Sequence, residues 1–178
     1  MGTVTIERYN GAGETATNIT SINTRLNAED THTTAGTANP IKIPAAGTNY
    51  SYWAVTRLNC TVTPAGTINN IKWYTDGANG LGTGVTAKCN TATGYVQASG
   101  TPGVTGLQLT TGNYATLAGA PTNSFAYTSG APLSVTGTIS NPSTGVFGDR
   151  VVYQHEVGTT ASPGVTGTEP INWQYDET

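Results

Sequence analysis

The stretch DGANGLGTG, residues 76–84, places two oxygen-bearing side chains among four glycines. Asp76 and Asn79 offer carboxylate and amide oxygens, which are the kind of ligand that calcium prefers. A calcium site, however, uses about six to eight oxygens at defined spacing, and no other acidic residue lies near these two in the sequence. We therefore interpret residues 76–84 as a turn between two strands, and an ion or glycan site there remains the alternative.

Cys60 and Cys89 are the next candidates for chemistry. Both occupy the inward positions of alternating stretches, so folding could bring them together. A disulfide between them would stabilise the fold by about 3 kcal/mol in the chain-entropy model. Because the start of the chain, MGTVTIERYNG, has no basic segment followed by an apolar one, we expect no signal peptide and predict two reduced, buried thiols. The disulfide stays open as an alternative.

The remaining polar residues do not form a catalytic pattern. His32 lies in a polar segment and His155 in an alternating one, and we interpret both as structural histidines. The sequence contains no nucleophile elbow, no closely spaced pair of carboxylates and no metal-binding helix motif. We therefore predict a protein that is not an enzyme and has no cofactor, no metal and no catalytic residue.

Aromatic side chains offer a different chemistry, the stacking of sugars. Trp73 follows an alternating stretch with a cysteine and is predicted to be a core residue. Trp53 and Tyr74 fall on the opposite parity, so we expect both to point away from the core and to be available to a partner or a glycan.

Composition limits the function classes. Charged residues make up 10% of the 178-residue chain, against about 25% in an average soluble domain. The net charge is −3 and the seven Lys and Arg residues are scattered, so no cationic stripe for nucleic acid is present. No apolar run approaches the length of a membrane span, and we expect neither nucleic acid nor membrane as a partner.

Period-two alternation predicts the fold. Runs such as YSYWAVTRLNCTVT and PLSVTGTIS alternate apolar and polar residues, and turn residues recur about every ten positions. We predict an all-β protein with an antiparallel β-sandwich, jelly-roll or immunoglobulin-like, over residues 40–178. The immunoglobulin pattern is incomplete, because the late strand VVYQHEV lacks a second cysteine.

Residues 1–39 are predicted to form an N-terminal strand followed by an extended polar arm. From residue 10 to 39 the sequence is too polar to bury a core of its own. Ile19, Ile22 and Leu26 are spaced to anchor such an arm on a partner, and Arg25 is a candidate for an ion pair. Identical chains that exchange elements form closed symmetric assemblies, and among these we expect a homotrimer.

Several phrases together resemble proteins of tailed bacteriophages and uncultured viruses. They are NPIKIP, GTNYSYWAVTRL, IKWYTDGANGLGTGV, YVQASGTPG and the C-terminal FGDRVVYQHEVGTTASPG with EPINWQYDE. The resemblance covers most of the chain and implies a virion structural protein of the capsid decoration or cement class. It implies the major capsid protein and further copies of this chain as partners, synthesis in the host cytoplasm and a final location in the virion.

The sequence thus favours a non-enzymatic capsid decoration protein. The rival is a carbohydrate-binding or adhesin-like β-sandwich module of a phage tail or cell surface. The residues predicted to contact a partner are Ile19, Ile22, Arg25, Leu26, Trp53 and Tyr74.

Overall fold

The alternating stretches of the sequence form antiparallel β-strands in the computed structural model, which describes residues 1–34 and 38–178. The all-β antiparallel sandwich predicted from the sequence is confirmed. The strands are β1 (Thr3–Asn10), β2 (Thr15–Asn18), β3 (Thr48–Tyr50), β4 (Ala54–Val62), β5 (Thr67–Tyr74), β6 (Val85–Ala92), β7 (Gly100–Thr101), β8 (Thr105–Gly106), β9 (Thr122–Asn123), β10 (Leu133–Val135), β11 (Ile139–Ser140), β12 (Gly145–Gly158) and β13 (Asn172–Glu177).

Two sheets form the sandwich. The first has the order β2-β1-β4-β12-β6-β9, and β3 also pairs with β12. In the second, β5 pairs with β13 along most of its length and with β10 and β11. Ile68 pairs with Glu177 of β13 and with Ile139 of β11, which places these two strands on opposite sides of β5. The second sheet is therefore narrower than the first and covers only part of its inner face.

The main core lies between the sheets and contains both cysteines. Cys60, Trp73 and Cys89 are each at most 1% exposed and belong to one apolar cluster. Their predicted burial is confirmed, and neither cysteine is in a disulfide in the structure. Burial raises the pKa of the Cys89 thiol to about 12 and also raises that of Cys60. Both thiols are therefore protonated at neutral pH, and their redox state in solution stays a prediction.

The outer face of the first sheet carries a second core, and Trp53 lies in it. Its indole is 2% exposed, donates from Nε1 to the carbonyl of Val96 at 2.9 Å, and meets the ring of Tyr114 edge-on at 5.5 Å. The prediction that Trp53 is exposed is wrong. The side chain does point away from the main core, but the long connection that contains Val96 and Tyr114 covers this face.

The N-terminal segment packs against its own chain. β1 is an inner strand between β2 and β4. The buried Arg8 donates to the hydroxyl of Thr24 and to the carbonyl of Arg25. The amide of Tyr52 donates to the carbonyl of Asn27 at 2.8 Å. The described part of the polar segment thus lies along the first sheet rather than extending away from it. Residues 35–37 of the predicted arm lie outside the described residues, and the predicted division of the chain at residue 39 remains a prediction.

These contacts predict slow proteolysis after Arg25 in the free protein. Trypsin requires local opening of the chain, and Arg8→Met removes two hydrogen bonds from a charged donor, each of which stabilises by about 1.5–3 kcal/mol. We expect cleavage to be at least about tenfold faster in Arg8→Met than in the wild type, measured by mass spectrometry of timed digests. Arg57→Met is the control, because Arg57 donates to Gly148 and not to the segment. Rapid cleavage of the wild type would instead mean that the segment is detached in solution.

Candidate binding site

A cavity of about 1140 Å³ lies where the narrow second sheet leaves the first sheet uncovered. Its floor is the inner face of β1, β4, β12 and β6, and its walls are loop segments from residues 19–34, 38–43 and 161–171. The apolar side chains that line it are Ile6, Ile19, Ile22, Leu26, Ile41, Ile43, Leu81, Val85, Val157, Val165, Ile171 and Trp173. Loops rather than strands close this end of the sandwich, so the space between them and the floor is not filled.

Three aliphatic side chains of the lining also face solvent. Ile22 is 46% exposed, Ile43 37% and Val165 68%. They come from three separate stretches of the chain, yet all three line the same cavity. Exposed aliphatic groups at the edge of an apolar recess are typical of interaction sites.

The structure brings together four of the six residues that the sequence predicts to contact a partner. Ile19, Ile22, Arg25 and Leu26 all line the cavity, with Ile19 buried and Ile22 exposed. Trp53 is not among them, because it is buried on the other side of the first sheet.

Tyr74 is also absent from the cavity lining. It ends β5, where it lies opposite Asn172, and its side chain is only half-buried. Its predicted role in binding a partner or a glycan stays a prediction.

A few polar groups face this apolar space. Desolvation, together with the positive charge of Arg8, lowers the pKa of His155 to about 4, so the imidazole is neutral at pH 7. Three buried polar atoms of the lining lack a hydrogen-bond partner among the described residues: Arg25 Nε, Glu169 Oε1 and Trp173 Nε1. These residues thus contain two unpaired donors and one unpaired acceptor, each enclosed by the surrounding protein.

Sequence reasoning missed the second wall of this site. Residues 161–171 read as a Gly, Ser, Thr and Pro loop, and Val165 is the one sign of an apolar role within its first eight positions. Glu169 gave no signal, because it lies at no motif spacing. Only the packing of the loop against the first sheet places it in the lining with His155.

The glycine-rich loop at residues 76–84 is used for turns. The oxygen of Asp76 accepts the amide of Ala78 at 3.0 Å, and that of Asn79 accepts the amide of Leu81 at 3.1 Å. Leu81 is buried. A side chain at Gly167 would collide with the backbone carbonyl of Gly80, so this glycine allows the cavity wall to approach the loop closely. These contacts support the interpretation as a turn.

The lining of the cavity is predominantly apolar, which suits it to an apolar group. Glu169 is the sole carboxylate among the residues that line the cavity. Within the described ranges, no three His, Cys, Asp or Glu side chains are grouped to hold a metal. The same residues include no helix with the length and hydropathy needed to cross a membrane.

Comparison with known proteins gives no family. No family model, no curated protein and no solved structure matches the chain. The resemblance to phage virion proteins therefore remains a prediction from the sequence phrases alone.

Proposed function

We propose that the protein is a virion structural protein that decorates a capsid shell and binds the major capsid protein and its own copies. The observation that carries the proposal is the apolar cavity with Ile22, Ile43 and Val165 exposed around it. The phrases shared with phage virion proteins support the same class. In this proposal the protein is made in the host cytoplasm and acts without catalysis.

A segment of the shell protein with aliphatic side chains is the partner that fits this site. Such a segment would bury the three exposed aliphatic groups, which is favourable by about 25 cal/mol for each Å² of apolar surface removed from water.

The carbohydrate-binding rival loses its main structural basis. A sugar-stacking platform needs an exposed aromatic face, and Trp53 is enclosed by the second core. Of the two aromatic residues predicted for such a platform, Tyr74 remains partly exposed.

Ile22→Glu is expected to weaken binding to the capsid shells of the encoding virus by at least about tenfold. A carboxylate in an apolar contact must be desolvated, and that cost exceeds the roughly 1.4 kcal/mol that corresponds to a tenfold change. Co-sedimentation of purified protein with shells measures the effect. Val146→Glu is the matched control, because Val146 is 48% exposed on β12 and does not line the cavity. Equal losses in both variants, or none in either, would refute the cavity as the contact site.

A further inference from the structure

The edge strand β2 differs from the other sheet edges. It ends the first sheet, and its four residues, Thr15–Asn18, include no charge and no proline. Thr15, Ala16 and Asn18 are exposed. An uncharged, exposed edge strand is a template for pairing with another strand, and native sheets usually prevent such pairing by local devices.

The outer strands at the other three sides of the two sandwich sheets carry such devices. β13 has Asp176 and Glu177 and a register shift before Asp176. β9 has two residues and runs directly into a 3-10 helix, Ser124–Ala126. β10 and β11 are separate strands of three and two residues, and Gly137 between them has a positive φ of 144°. β2 is thus less protected than the other outer strands of the two sandwich sheets.

The hydrogen bonds of β2 show which of its backbone groups face outward. The amide of Ile19, just after the strand, donates to the carbonyl of Ile6 in β1 at 2.8 Å. Alternate residues of an antiparallel strand bond to the same side, so Thr15 and Thr17 also face β1. The amide and carbonyl groups of Ala16 and Asn18 therefore point away from the sheet.

We propose that β2 is a self-association site, at which it pairs antiparallel with β2 of a second copy about a twofold axis at Thr17. In this register Ala16 lies opposite Asn18 of the second copy, and Asn18 lies opposite Ala16. The outward amide and carbonyl groups of both strands are then all paired, with four backbone hydrogen bonds. The two Thr17 side chains meet as a cross-strand pair, which is a favourable combination in sheets.

A second copy fits this edge better than an unrelated strand does. The outward groups, Ala16 and Asn18, are symmetric about Thr17, so the strand is complementary to itself, as a twofold interface requires. No like charges face each other, because Glu14, which precedes the strand, is already paired with Arg150. Pairing would join two copies of the first sheet into one continuous sheet. This site goes beyond the proposed capsid contact and does not depend on it, and its twofold symmetry differs from the trimer expected from the sequence.

Cysteine cross-linking of the full chain tests the register. In an antiparallel pair without direct hydrogen bonds the two Cα atoms lie about 4.5 Å apart, which falls within the range of about 4.4–6.8 Å that a disulfide spans. Mild oxidation of Thr17→Cys should therefore give a disulfide-linked dimer on a non-reducing gel. Thr15→Cys is the matched control. In the proposed register the positions 15 of the two chains would lie about 14 Å apart along the strands, so this variant should stay monomeric. Wild-type protein controls for the native thiols, which are buried.

A second variant separates pairing from folding. Ala16→Pro removes an amide that faces outward, and proline is tolerated at an edge strand for this reason. Added to Thr17→Cys, it should abolish the cross-link while the circular dichroism spectrum stays unchanged. Cross-linking that is equal at positions 15 and 17, that survives Ala16→Pro, or that joins the chain only to the shell protein would overturn the proposal. A failure here would leave the Ile22→Glu result unaffected, because that variant probes the cavity.

Discussion

Replacing Trp53 with alanine is expected to lower the free energy of unfolding by about 3–5 kcal/mol, the usual cost of removing a buried tryptophan. The indole fills the second core and its Nε1 donates to the carbonyl of Val96. Truncation therefore leaves a cavity beside Tyr114 and an unpaired carbonyl. Urea denaturation followed by circular dichroism measures the change, with the slope of the transition compared between variants.

Tyr74→Ala serves as the control for the same experiment. Tyr74 is only half-buried at the end of β5, so its loss should cost about 1 kcal/mol. A Trp53→Ala protein that keeps wild-type stability but loses affinity for a polysaccharide would contradict the structure and restore the carbohydrate-binding rival. A strongly destabilised variant means that Trp53 is part of the fold.

Acidification is expected to destabilise the protein between pH 6.5 and about 4 through His155. Burial favours the neutral imidazole, so the folded-state pKa of about 4 lies below the ordinary value of 6.5. The unfolded state therefore binds a proton first as the pH falls. The stabilising contribution is fully present above pH 6.5 and is lost as the pH falls toward 4. Each pH unit between the two pKa values corresponds to about 1.4 kcal/mol. The cavity gives the ring partial access to solvent, which reduces the effect, so the loss of stability is on the order of 2–3 kcal/mol.

His155→Gln should flatten this part of the stability profile, since glutamine does not titrate. Urea denaturation at half-unit steps from pH 7.5 to 4 provides the measurement. His32 changes stability in the same direction, because desolvation and then the charge of Arg8 also lower its pKa, so His32→Asn is needed as the second variant. The interpretation would fail if His155→Gln lost stability as steeply as the wild type over this range.

The alternation of side chains determined the strands and the main core. Cys60, Trp73 and Cys89 are buried as their parity predicts, because the two faces of a strand follow from the period of two in the backbone itself. The same local rule assigned Trp53 to the opposite face from the main core, and this assignment is also correct. The preference of residues for turns is also a local property. Residues 76–84 could therefore be interpreted as a turn from Asp76, Asn79 and the glycines around them.

Only the tertiary structure decided what covers each face. Whether Trp53 meets solvent depends on the connection that contains Tyr114, and no periodicity encodes where a connection packs. Long-range contacts also place four residues of the N-terminal segment around one cavity: Ile19, Ile22, Arg25 and Leu26. Their placement depends on the buried Arg8 and on residues 161–171, and these two parts of the chain are far apart in the sequence. The pattern of a strand determines which side chains share a face of the sheet. Burial of either face is a long-range property, because it arises from contacts with segments that are distant in the chain. No local rule fixes that distance.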